Sequence, residues 1–163
     1  MAAKPVPEGF STVSAHLMVK GADAALAFYK KAFGAEEVMR MPGPDGKTVM
    51  HAELRIGDST VMLCDEWPGP GGCKAPATLH GTTVTIHLYV NDCDKVFAQA
   101  VEAGAKVEMP LMDTFWGDRY GKLSDPYGHH WGVATHKQDL TPEQIQQGAE
   151  EFMKNMAGKC GQG

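Results

Sequence analysis

Two stretches of this chain repeat one another, and the repeat limits the fold more than any other feature. His16-Leu17-Met18-Val19 returns as His87-Leu88-Tyr89-Val90. At the same offset of 71 residues, 87 minus 16, Asp23 falls on Asp94 and Ala27 on Ala98; after a slip of one residue, Gly34-Ala35 falls on Gly104-Ala105. Chance could supply a pair of HLxV strings. It would not also supply strand, acidic turn, helix and Gly-Ala exit in the same order, so the chain reads as a duplicated module.

Local signals agree within each copy. Residues 13–19 and 83–90 are rich in β-branched residues and alternate in character, as strands do, whereas residues 23–33 and 94–103 carry apolar side chains at helical spacing and stop at Gly34 and Gly104. Further strands are predicted over 36–41, 48–56 and 59–64, the last two joined at Gly57-Asp58. Their repeats cover 106–112, 120–124 and 130–135, the turn now being Asp125-Pro126-Tyr127-Gly128. The fold class expected is therefore α+β, with two tandem βαβββ modules forming a cupped mixed sheet.

The boundaries that follow are a single domain over 11–136, made of module one (11–66), a Pro/Gly linker or flap (67–81) and module two (82–136). A C-terminal helix and tail occupy 137–163. The linker contains WPGPGGCKAPA, dense in residues that interrupt regular structure, and Thr141-Pro142-Glu143-Gln144 has the form of a helix start.

At 163 residues and 43% hydrophobic content, the chain suits one packed domain. A net charge of -5, with the 15 Lys and Arg scattered, argues against a phosphate-binding face, so no nucleic-acid partner is expected. The opening MAAKPVPEGF lacks the charged and apolar regions of a secretory signal, and no apolar run nears the roughly 18 residues of a membrane span. A cytoplasmic protein with no membrane partner is expected, and Cys64, Cys73, Cys93 and Cys160 read as reduced thiols.

Side chains alternate across a strand, so each strand sorts into two faces. Ala15, Leu17 and Val19 oppose Ser14, His16 and Met18, while Val84, Ile86, Leu88 and Val90 oppose Thr83, Thr85, His87 and Tyr89. The apolar faces belong against the helices. His16 and His87 then lie on the other face, related by the duplication. His51, Glu53 and Arg55 share a face of their strand, which points either into the same cavity or into solvent.

The runs HLMVKGADAALAFYKKAFGAEEVMRMPGPDG, MHAELRIGDSTVMLCDE and FWGDRYGKLSDPYGHHWGVATHKQDLTPEQ resemble the PhnB-like branch of the vicinal oxygen chelate superfamily, the group of glyoxalase I, the bleomycin-resistance proteins and the extradiol dioxygenases. The resemblance covers nearly the whole chain. It implies a cup between two βαβββ modules, a small-molecule ligand, and a homodimer. In the metal enzymes of the superfamily a divalent ion is held by His or Gln on each first strand and Glu on a last strand. His16 and His87 occupy the first-strand positions. Counting four residues beyond each turn gives Gly132 and Val61, with Met62 next to it, on the last strands; none is a carboxylate.

An ion such as Ni, Zn, Co, Mn or Fe in an open site needs about three protein ligands. Glu53 is the leading candidate beside His16 and His87, with His130 and His51 as lesser ones. Two functions are compatible with these residues. One is a glyoxalase-like lyase or isomerase, in which the ion would stabilise an enediolate. The other is a metal-free protein of bleomycin-resistance type that binds a drug or metabolite between aromatic rings. Tyr89, Trp116, Arg119 and Tyr120, with His51 and His130, are the substrate-binding candidates; Trp116, Arg119 and Tyr120 serve equally well as packing at a sheet edge. No catalytic residue is assigned.

Overall fold

A strand with one apolar face is stable only when that face is covered, and each module covers its own with its own helix. The computed structural model describes residues 3–67 and 69–160, with side chains to residue 156. Module one runs β1 (His16–Val19), α1 (Ala22–Phe33), β2 (Glu36–Pro42), β3 (Val49–Ile56) and β4 (Ser59–Asp65). After a short α2 (Pro76–Leu79), module two repeats the order as β5 (Thr85–Tyr89), α3 (Cys93–Ala103), β6 (Lys106–Asp113), β7 (Asp118–Ser124) and β8 (His130–His136); α4 (Pro142–Cys160) ends the described chain. No helix among the described residues is long and apolar enough to cross a membrane.

Each module builds a four-stranded mixed sheet, ordered β1-β4-β3-β2 and β5-β8-β7-β6. The first and last strands of each module are parallel and the other pairs antiparallel. Among the described residues no ladder joins the two sheets. The modules meet instead through α1 and α3, around a core that includes Leu17, Val19, Leu26, Tyr29, Leu54, Leu63, Leu123, Trp131 and Val133.

The duplicated helices start in different ways. Gly21, at φ 92°, precedes α1 and has no side chain to cap it. Asp65 at the end of β4 does so from a distance: one carboxylate oxygen accepts from the N–H groups of Gly21 and Ala22, and the other from Val49 N–H. In α3 the cap is local, since Asp92 accepts from Lys95 N–H. Both helices end at a left-handed glycine, Gly34 or Gly104, as the sequence predicted.

One buried carboxylate ties the modules together. Asp125, 5% exposed in the turn before β8, accepts from Tyr29 Oη of α1 at 2.7 Å and from Trp131 Nε1 at 2.9 Å. It also accepts from the backbone N–H groups of Tyr127 and His129. Four donors offset its desolvation and fix the turn against module one. His129, given no role from sequence, donates from Nε2 to the carbonyl of Met18 on β1 and makes a second link.

The stretch read as a linker is partly ordered. Glu66 accepts from Ala75 N–H and Thr78 Oγ1, which holds α2 close to the end of β4. Composition overstated its freedom because Pro76 sits at the first helical position, where a missing N–H costs nothing. At α4 the sequence signal holds: Thr141 N–H donates to Gln144 Oε1 and Gln144 N–H to Thr141 Oγ1, a reciprocal capping box.

Candidate functional site

The strand alternation read from sequence governs the two sheet faces. Leu17 and Val19 are buried and Ile86 and Leu88 pack on the core, while His16, His87 and Tyr89 lie on the open faces. The structure does not bring His16 and His87 into one cavity. His16 lines a space of about 200 Å³ with Met18, Lys74, Pro76, Leu79 and His129. His87 lines a larger one of about 720 Å³ between β5, the segment before β1 and the start of β4.

Strand pairing corrects the expectation for the last strands. His87 pairs with Gly132 as expected, but His16 pairs with Met62, not with Val61, which is buried in the core. Counting from the turn misses by one because the turns differ in length, two residues (57–58) between β3 and β4 against five (125–129) between β7 and β8, so Gly57 and Gly128 are not equivalent positions. The position facing each first-strand histidine is therefore a thioether in module one and a glycine in module two.

On the open face of module one, His51 Nε2 lies 3.4 Å from Glu53 Oε1, and the His16 and His51 rings meet edge to face at 5.8 Å between centres. Burial, and then the neighbouring His51, hold the His16 imidazole below the usual histidine range, so it is neutral near pH 7. Met62 and Cys64 lie between these groups on β4, and burial, with help from Cys73 and Asp65, pushes the Cys64 thiol up. Arg55 turns away to pair with Glu36. The alternation places Met18 on the His16 face as expected, while Cys64, to which the sequence assigned no role beyond a reduced thiol, shares that face with Met62.

Module two presents rings. The His87 imidazole stacks on Tyr120 at 5.4 Å with 4° between planes and touches Tyr89 at 4.6 Å; Trp116 meets Tyr120 at 5.9 Å. Gly132 makes this possible, because a Cβ there would lie 2.7 Å from Tyr120 Cε2 and 3.0 Å from His87 Nδ1. Behind the rings, Asp118 is 3% exposed and accepts from Tyr89 Oη at 2.9 Å, Trp116 Nε1 at 3.0 Å and His136 Nδ1 at 2.7 Å. Burial opposes its charge, but the hydrogen bonds from His136, Tyr89 and Trp116 outweigh that and keep its carboxyl below the usual range. Nothing in the sequence marked Asp118, since a single Asp after Gly117 carries no periodic signal.

The other sequence candidates contribute less. Arg119 is engaged by Asp94 and Asp113, which leaves its guanidinium partnered rather than free for an anion. His130 pairs with Thr85 and Ser124 at the far end of the ladder. Among the described residues no three His, Cys, Asp or Glu side chains come close enough together to share a metal ion. The donor set of the divalent enzymes is not assembled among the described residues: the place where a glutamate would enter module two is already filled by the Tyr120 and His87 rings.

Residues 11–133 match the Glyoxalase/Bleomycin resistance protein/Dioxygenase superfamily. The chain belongs to that superfamily. The uncharacterized Mycobacterium tuberculosis protein Rv0887c is 49% identical over 136 residues, covering 82% of this chain and 79% of the relative. Among solved structures, TioX from Micromonospora sp. ML1 superposes with a TM-score of 0.62 at 28% identity, over 77% of this chain and 98% of that one. A PhnB protein from Bacillus cereus, at 22% identity, shares the fold with a TM-score of 0.59 over 77% of this chain and 99% of its own. The superfamily fold and PhnB-like neighbours agree with the resemblance read from the sequence.

Proposed function

We propose that the chain binds a planar aromatic small molecule, without a metal ion, against the ring wall of module two. The observation that carries this reading is the stack of His87 on Tyr120 over Gly132, flanked by Tyr89 and Trp116. A flat surface of rings favours a flat ligand, because stacking gains dispersion and quadrupole attraction over the whole contact. Asp118 holds the Tyr89 hydroxyl and the Trp116 indole, so little side-chain freedom remains to be lost on binding.

The lyase or isomerase reading with Ni, Zn, Co, Mn or Fe is supported less well. His16 and His87 line separate cavities, and Met62 and Gly132 stand where a carboxylate ligand is needed. A homodimer belongs to the proposal: Val84, just before β5, and Val107 on β6 are exposed apolar groups that a second copy would cover.

Calorimetric titration with quinoline and acridine tests the reading. Tyr120→Ala and Trp116→Ala should each weaken binding by up to about tenfold, the effect of one aromatic contact. Binding that is absent, or indifferent to both substitutions, would refute the assignment of the ring wall as the site.

A further inference from the structure

The face of module one carries a different kind of ligand set. β4 lies between β1 and β3, and its Met62 pairs with His16 on one side and with Glu53 on the other. Cys64, two residues on, shares that face and pairs with Met18. The His16 and His51 rings, reaching across β4, stand 5.8 Å apart between centres at a steep angle. Two imidazoles that share one ion through nitrogens about 2.0 Å from it place their ring centres roughly 5–6.5 Å apart. The observed separation lies in that range.

The remaining donors decide which ion fits. No third His, Cys, Asp or Glu completes a cluster with these rings among the described residues, so the atoms left to coordinate are mainly sulfur. Met62 is half-buried on the strand between the two histidine strands, and Met18 is half-buried in the next row of the ladder. Hard divalent ions bind thioethers poorly. Cu(I), soft and content with two or three ligands, prefers imidazole together with thioether or thiolate.

From this arrangement we infer that His16, His51 and Met62, backed by Met18, form a binding site for Cu(I). The ion enters and leaves as Cu(I), with no change of oxidation state. The site lies wholly within module one and is independent of the ring wall proposed above.

The test is an anaerobic titration of the full chain with Cu(I), using bathocuproine disulfonate as competitor and Zn(II) in parallel. Cys64→Ser, Cys73→Ser and Cys160→Ser in the parent protein remove competing thiols. A single Cu(I) per chain should be held in preference to Zn(II), and X-ray absorption should report both nitrogen and sulfur neighbours. Met62→Leu, which keeps the side-chain volume, and His51→Ala should each weaken Cu(I) binding by at least about tenfold, a scale at which even outer-shell changes register. Thermal melts identify any variant that fails through unfolding, and Met62→Leu remains informative should His51→Ala not fold. Tyr120→Ala should leave Cu(I) binding unchanged, which separates this site from the aromatic one. No retained Cu(I), sulfur-only coordination, or equal affinity in folded Met62→Leu and parent would overturn the inference.

Discussion

Opposite His16 the last strand of module one places Met62, and opposite His87 the last strand of module two places Gly132. Met62 extends a face of thioethers, thiol and imidazoles. Gly132 leaves a gap that Tyr120 and His87 fill by stacking. The backbone pairing is the same in both, so the duplication preserved the ladder and the buried face while the open faces became different chemical surfaces. Burial accounts for the difference in constraint: a buried position is held by volume and apolarity, whereas an open one is limited only by what it binds.

The turns that precede the last strands offer the sharpest contrast. Asp125 in module two is buried and accepts four hydrogen bonds, from Tyr29, Trp131, Tyr127 and His129, while its counterpart region in module one ends at Asp58, exposed and bonded to Ser59 Oγ. Asp125→Ala would leave the Tyr29 hydroxyl and the Trp131 indole unpaired in the core. It should cost about 3–5 kcal/mol, allowing for the non-additivity of bonds to one charged group. Asp58→Ala should stay within about 0.5 kcal/mol, as exposed substitutions do. Urea unfolding of both variants makes the comparison, and equal losses would show that the link between modules does not run through Asp125.

Restoring a glutamate on each last strand probes the open faces directly. Gly132→Glu must displace the Tyr120 and His87 rings, at a cost of about 1–3 kcal/mol as in other overpacked sites. The same change in a Tyr120→Ala background should cost less, because the ring that obstructs the new Cβ is gone. Met62→Glu, on a half-buried position, should be tolerated better than Gly132→Glu. Thermal melts rank the three, and if Gly132→Glu proves the mildest the ring wall does not fill that space.

A smaller contrast separates the helix starts. Asp65→Ala deprives three N–H groups of an acceptor, those of Gly21, Ala22 and Val49, and should cost about 2 kcal/mol. Asp92→Ala removes one bond, to Lys95 N–H, and should cost about 1 kcal/mol. Amide exchange in the first turn of α1 should rise in the first variant and leave α3 unaffected; exchange spread over both modules would mean that Asp65 supports more than its helix.

These contrasts also explain what the sequence made legible. The repeat, the alternation and the glycine stops are local signals imposed by the backbone, and they located both helices, every strand and the open faces that carry His16 and His87. Two features escaped. The register of the last strands depends on turns of unequal length, which counting from a turn glycine does not register, so the count falls on Val61 and not on its neighbour Met62. The carboxylates Asp118 and Asp125 act through partners 29 and 96 positions away, Tyr89 and Tyr29, and no spacing rule reaches so far. His51 and Glu53 were legible as neighbours on a face; the approach of His51 to His16 across an intervening strand was not.

The smallest effect expected concerns acidity, and it belongs to module two. His136 Nδ1 donates to Asp118 at 2.7 Å and its Nε2 to Asp139 at 3.0 Å, so the ring holds two protons between two carboxylates. The bond to Asp118, then that to Asp139, raise the His136 pKa above the usual histidine value of 6.5. Its stabilisation is therefore fully present below that value and is lost as pH rises through the folded-state pKa. Asp118 has the opposite sign: its carboxyl is depressed, so its contribution is present above the usual aspartate range and is lost as pH falls through the lowered pKa. The pair stabilises most in the window between about pH 4 and pH 6.5, bounded by the two ordinary values. Denaturant unfolding of His136→Gln should show a larger deficit near pH 5.5 than at alkaline pH above the raised folded-state pKa. Because Asp118 also holds Tyr89 and Trp116, quinoline binding to the parent should weaken over the same rise in pH, and binding to His136→Gln should not. A deficit that grows with pH would mean that His136 is neutral in the folded protein and that Asp118 keeps the ring wall in place without it.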